Sequence, residues 1–259
     1  MLPFKFYLGV DYSGAKTPAS RLTGIRVYET GPDREPTAFR PADPAGKWSR
    51  KSLASALRDL ATVGRDGESR TPFIVGIDHG FSFPDDYFGR YLLSDWDEFL
   101  DDFCKHWPTD REGSTVNSLR KDNPRTGEPD EFRLTEKWTS SAKSVFQFDV
   151  PGQVAPSTHA GIPWLAWLRR ERRDQLHFWP FDGWDIPSGK SVIAEVYPSI
   201  FRNRYPRAGR GTDEHDAYAI ARWLQEADGR GILDRYFQPP LVEDERCTAQ
   251  REGWILGIV

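Results

Sequence analysis

The sequence predicts an α/β fold, a mixed β-sheet flanked by helices and interrupted by a helical and irregular insertion at about residues 85–158. Three observations predict it. The first 40 residues hold three strand-like segments separated by short turns, the pattern of an antiparallel meander. Further on, short apolar β-branched runs alternate with stretches of helical spacing, which calls for parallel strands covered by helices. Between these lies a long polar stretch with no sustained period, too long for an ordinary connector.

Residues 4–10 are nearly all apolar, so the first strand is expected to be buried on both faces. Residues 24–29 alternate apolar and polar and read as a second, half-exposed strand; a turn at Gly31-Pro32-Asp33 leads to a third at 37–40. From Ser49 to Val63 the residues Leu53, Ala56, Leu57, Leu60 and Ala61 fall on one helical stripe, with Gly64 as the stop. Pro72 to Ile77 reads as a buried strand parallel to an earlier one. Asp85 to Trp107 has helical spacing on an aromatic side, whereas 108–158 is expected to be mobile or ordered by docking near the site. A helix is expected over 161–173, a buried strand over 191–196, and a helix over 213–227 with Thr212 as N-cap. The apolar tail 252–259 is expected to dock on the core. The whole, 1–259, reads as a single domain carrying one insertion.

Composition narrows the function classes. Acids and bases nearly cancel at a net charge of −4, so no global field draws the chain onto nucleic acid. The two cysteines, Cys104 and Cys247, have no Cys-x-x-Cys or Cys/His spacing, which excludes a zinc or redox motif of that kind. No apolar run approaches the roughly 18–20 residues that span a bilayer, and the short apolar start reads into a strand rather than a signal peptide. A cytoplasmic protein without a membrane partner is expected; the oligomeric state is left open.

The chemistry-bearing feature is a set of acids. Asp11, Asp78 and Glu195 each lie in or just after an apolar strand, where a carboxylate is expensive to desolvate unless paired or bound to a cation. Asp213 and Asp216 are spaced i, i+3 and share a helix face. Singly, each also reads as a turn, cap or ion-pair residue. Together they suit a hard divalent cation, Mg2+ or Mn2+, which takes oxygen ligands and compensating charge.

Five segments carry a family resemblance: GVDYSGAK (9–16), GIDHGFSFP (76–84), AEVYPSIF (194–201), DEHDAYAIA (213–221) and EGWILG (252–257). In this order they resemble the predicted RNase-H-like nuclease family known as domain of unknown function 429. The DEHDAYAIA helix is also similar to the last acidic helix of RuvC-type resolvases. The resemblance covers residues 4–80 and 190–257 but not the 108–158 insertion. In the family a proline commonly follows the second Asp closely; here His79-Gly80 intervene and Pro84 lies further on. The resemblance implies a ribonuclease-H-like fold and a metal-dependent nuclease acting on DNA or RNA. It places catalytic and metal-binding roles on Asp11, Asp78, Glu195 and Asp216, with Asp213 as a further metal ligand. Two other classes stay open: a non-catalytic binding module on the same fold, and an actin-like ATPase or sugar kinase, which also begins with a strand-Asp-turn phosphate motif.

Other candidates have two readings each. His79 and His215, beside the acids, are either proton carriers or structural. Arg169, Arg170, Arg172 and Arg173, with Arg202, Arg204, Arg207 and Arg210, are either a basic rim for a polyanion or ion-paired surface. Ser13 and Lys16 either touch a phosphate or only make a turn. Gly183 to Ser191 departs from a phosphate loop in spacing and leads into a strand, not a helix.

Overall fold

The computed structural model describes residues 4–63, 71–139 and 141–259; Gly64, the expected stop of the first helix, lies outside them. The chain begins with β1 (Phe6–Asp11), β2 (Arg26–Thr30) and β3 (Thr37–Ala38), then α1 (Arg50–Val63) and β4 (Phe73–Asp78). The insertion supplies α2 (Asp85–Tyr91), α3 (Trp96–His106), α4 (Val116–Arg120) and α5 (Leu134–Lys137). Then come α6 (Ala155–Arg172), β5 (Leu176–Trp179), β6 (Ser191–Glu195) and two 3-10 turns, Pro198–Ile200 and Arg202–Arg204. The chain closes with α7 (Thr212–Gly229), α8 (Leu233–Phe237) and α9 (Glu243–Glu252).

One six-stranded mixed sheet runs in the order β3-β2-β1-β4-β6-β5. The first three strands form the expected antiparallel meander; β4, β6 and β5 are parallel to β1. The third strand is only two residues long, shorter than the expected 37–40, and both its residues are exposed.

Alternation along the strands sorts the side chains into two layers. Leu8, Val10, Val75, Ile77 and Ile193 face a cluster built with Leu53 and Leu57 of α1 and Leu165 and Leu168 of α6, extended by the aromatics of α2 and α3. Tyr7, Ile74, Val192, Ala194 and Val196 face a second cluster around Ala219, Ile220, Trp223 and Leu224 of α7, closed by Trp254, Ile255 and Leu256 of the tail. The tail docks as expected, pairing Leu256 with Val196 in an isolated parallel bridge.

Several further elements differ from the sequence-based expectation, and α7 begins at Thr212 with Gly211 as its N-cap rather than Thr212. Helix α6 starts at Ala155 rather than 161, and Pro163 sits inside it. Proline has no N–H for the carbonyl four residues earlier; that carbonyl, on His159, instead accepts the Thr109 hydroxyl at 2.7 Å. A tertiary contact therefore replaces the missing helix bond, which local spacing does not reveal. Strand β5 is four residues with no alternation, buried throughout. Helices α8 and α9 are short or strongly polar, α9 burying only Ala249 and Glu252.

Two glycines set how closely α7 lies on the sheet. A Cβ on Gly9 would stand 2.1 Å from the Ala217 carbonyl oxygen, and one on Gly76 would stand 2.7 Å from the Ile220 side chain. Gly9→Ala is therefore expected to push the helix outward and to cost about 2 kcal/mol or more, in the range of overpacked cores. A urea titration would check it; unchanged stability would mean that α7 does not depend on this contact.

Candidate functional site

The parallel register of β1 and β4 pairs Asp11 with Asp78, so the two last residues of these strands leave the sheet on the same face. That face is the one α7 covers. The helix arrives N-terminus first, and its opening turn carries Asp213 and Glu214, which suits the positive end of its dipole. Asp216 follows on the buried side, one residue before the Ala217 that sits on Gly9. The close approach of helix to sheet is what brings Asp216 to the strand ends.

The electrostatics record the convergence. Burial, then the charges of Asp78, Asp213 and Asp216, push the Asp11 carboxyl from the usual 3.8 up to about 9, against a smaller pull from Arg26. Burial, then Asp216 and Glu195, push Asp78 up to about 8, with Arg202 opposing. Asp216 is raised by burial and held back by Arg202, whose Nη1 donates to Oδ2 at 2.8 Å. Its other oxygen, Oδ1, is buried with no hydrogen-bond partner.

Glu195 is placed differently. It pairs with Ile77, one position before the row of Asp11 and Asp78, so its side chain leaves on the opposite face. There Arg133 of the insertion meets it, donating from Nη2 to Oε1 at 2.6 Å and from Nη1 to Oε2 at 2.7 Å. The Phe81 amide donates to Oε2 at 3.0 Å. Arg133 also donates from Nε to Glu136 Oε1 at 2.8 Å and from Nη1 to the Glu252 carbonyl at 3.2 Å. Burial alone would lower the Arg133 guanidinium, but Glu195 and Glu136 outweigh it and hold it above its ordinary value. Glu252 anchors the segment that carries Arg133, accepting from the Leu134 and Asp85 amides at 2.5 Å each. These contacts hold this half of the insertion beside the site.

Both faces open onto one cavity of about 510 Å³ over the strand ends, lined by all five acids with Arg133, Arg202, Lys143 and Tyr197 among others. A second polar cavity of about 490 Å³ adjoins it, sharing Tyr12, Gln153 and Ser157 and bounded by the turn from Ser13 to Lys16. That turn is held from inside. Arg50, fully buried, donates to the carbonyls of Ser13, Ala15 and Lys16 at 3.2, 2.7 and 3.0 Å.

As the side chains stand, no three Asp, Glu, His or Cys among the described residues form a group that would hold a metal ion. The donor set nevertheless has the chemistry of a hard-cation site: carboxylate oxygens only, mutually repelling, one of them buried and unpartnered. The two histidines make structural contacts. His79 is buried against Gly161 and Tyr12 and pushed down to about 4 by that burial, so it is neutral at pH 7. His215 accepts or donates only at Nε2, to the Arg202 carbonyl, while its Nδ1 is buried without a partner.

The arginines divide. Arg202 lines the cavity, whereas Arg169, near the C-terminal end of α6, pairs with Asp97 and with Asp182 after β5. Arg210 stacks on Tyr218, 3.5 Å from its ring centre. Arg133 was invisible in the sequence: it sits in a polar stretch with no period, and only the fold brings it to Glu195. Its one local signal is the i, i+3 spacing to Glu136.

The pH dependence of the metal-free protein follows from these shifts. A folded Asp11 that holds its proton more tightly than the unfolded chain loses stability as pH rises from 3.8 to about 9. Asp11→Asn removes that loss. In EDTA at pH 9 the variant is expected to melt higher by roughly 3–8 °C, about 1–3 kcal/mol, with the gap closing near pH 4. Calorimetry across pH checks it; a gap that widens toward low pH would contradict it. No protein-family model matches this chain, and no curated protein or solved structure matches it significantly.

Proposed function

We propose that this chain is a divalent-metal-dependent phosphodiesterase that hydrolyses nucleic acid on a ribonuclease-H-like fold. The observation that carries the reading is the buried, unpartnered Oδ1 of Asp216 within the charge field of Asp11 and Asp78. The antiparallel β1–β2–β3 meander continued by parallel β4 and β6, with acids at the strand ends, supports the fold assignment.

Asp11, Asp78 and Asp216 would hold Mg2+ or Mn2+, with Asp213 at the exposed edge of the set. Bound there, such an ion supplies water activation and charge neutralisation at a phosphodiester. The protein's own groups do the rest. Arg202 fixes Asp216 through Oδ2, so that Oδ1 keeps its aim. Lys143 and Arg202 bring positive charge to the same cavity for a phosphate. The rigid turn at Ser13 to Lys16 borders the adjoining polar cavity, where the chain flanking the scissile bond would lie. Partial burial of the acids lowers the local dielectric and strengthens each of these interactions.

The test is cleavage of single-stranded, duplex and branched DNA and RNA with Mg2+ and with Mn2+. Asp11→Asn keeps the size and one oxygen of the side chain but removes the charge, and is expected to lose at least about 100-fold in rate. Asp33→Asn, in an exposed turn, is expected to change nothing. Full cleavage by Asp11→Asn would rule out the site. Metal binding without cleavage of any substrate would favour a binding module, and metal uptake that requires ATP would favour the kinase class.

A further inference from the structure

We infer that Arg133 takes the place of a second divalent cation, so that the site binds one metal ion per chain and Glu195 is not a ligand to it. The inference rests on the metal-dependent reading above. Phosphoryl-transfer sites often hold two cations, each compensating part of a carboxylate cluster. Here the cluster is split by the sheet. Asp11, Asp78 and Asp216 lie on the α7 face, with one oxygen buried and unpartnered. Glu195 lies on the other face and already has its cation.

The pairing of Glu195 matches its charge and takes up three of its roughly four acceptor positions. Oε2 accepts from Arg133 and from the Phe81 amide, which uses both its lone pairs, and Oε1 accepts from Arg133. The guanidinium itself is fixed by Glu136 and the Glu252 carbonyl, so it is not a mobile side chain that swings in from solvent. Arg133 and Glu195 expose 2% and 5% of their side chains. A buried pair of this kind is weak evidence for stability, because desolvation offsets most of its attraction. Its placement beside Asp78, whose carboxyl feels the Glu195 charge, gives it another use: it supplies Glu195 with a fixed cation from the protein itself. A planar, permanently charged fork suits that role better than a lysine. The charge comes from the insertion, so the insertion completes the site.

Titration of the full chain with Mn2+, followed by calorimetry and by the EPR signal of free ion, counts the sites. The wild type is expected to bind one Mn2+, and Asp11→Asn none. Glu195→Gln, which keeps the shape and most hydrogen bonds, is expected to bind one Mn2+ with affinity changed by less than about threefold. Arg133→Gln, if its circular dichroism shows it folded, is expected to free Glu195 and to gain a second, weaker Mn2+. Two Mn2+ per wild-type chain, or loss of binding in Glu195→Gln, would overturn the inference while leaving the metal-dependent reading intact. A folded Arg133→Gln that still binds one ion would overturn it as well. A wild type that takes up no Mn2+ would remove the reading and the inference together. If Arg133→Gln does not fold, Glu195→Gln alone decides, since a direct ligand cannot be neutralised without weakening the ion.

Discussion

The distance between α7 and the sheet governs the rest of the molecule's chemistry. Gly9 and Gly76 offer no side chain where the helix crosses, and its backbone comes down on the strands. That contact sets the depth at which Asp216 meets Asp11 and Asp78. It also aims the helix N-terminus, with its partial positive charge, at the acidic strand ends. Moved outward, the helix would leave the strand carboxylates to solvent and much less perturbed. The cluster is therefore a product of packing, and its electrostatic strain is sustained by the core beneath it.

The charge pattern across the strand ends is asymmetric. On one face the acids outnumber the nearby cations: Arg26 and Arg202 only moderate the rise of Asp11 and Asp78. On the other, Glu195 and Glu136 share the Arg133 guanidinium. Neither Arg133 nor Arg202 belongs to the sheet: one comes from the insertion and the other from the 3-10 turn after β6. Strands and α7 present the carboxylates, and two of the cations that meet them come from connections. Such a division fits the general rule that loops on a rigid scaffold carry function.

Much of the scaffold was legible in the sequence because it is written in local patterns. The apolar runs ending at Asp11 and Asp78 and the stripes of α1 and α7 each carry their own period. What was not legible depends on partners distant in sequence. The early start of α6 needs Thr109 to satisfy the carbonyl that Pro163 strands. The face on which Glu195 emerges depends on register, since a shift of one residue moves a side chain through the sheet; the strand was readable, its pairing with Ile77 was not. Arg133 lies in a segment without period, and its one local signal, the spacing to Glu136, does not point to Glu195. Arg169, left open in the sequence between a basic rim and an ion pair, is engaged by Asp97 and Asp182.

Arg50 has a consequence of a different kind. It grips the turn after β1 through three main-chain carbonyls, and it makes no use of the side chains of Ser13, Ala15 or Lys16. Backbone carbonyls are common to all residues, so the turn's shape is uncoupled from its composition wherever the torsions allow. That freedom narrows at the left-handed Lys16, at φ 56, and at Gly14, where a Cβ would stand 1.9 Å from the Pro156 carbonyl oxygen. The bordering cavity can therefore acquire new chemistry at Ser13 or Ala15 without losing the frame around Asp11. In engineering terms, a turn clamped from within the core is a variable surface mounted on a fixed hinge.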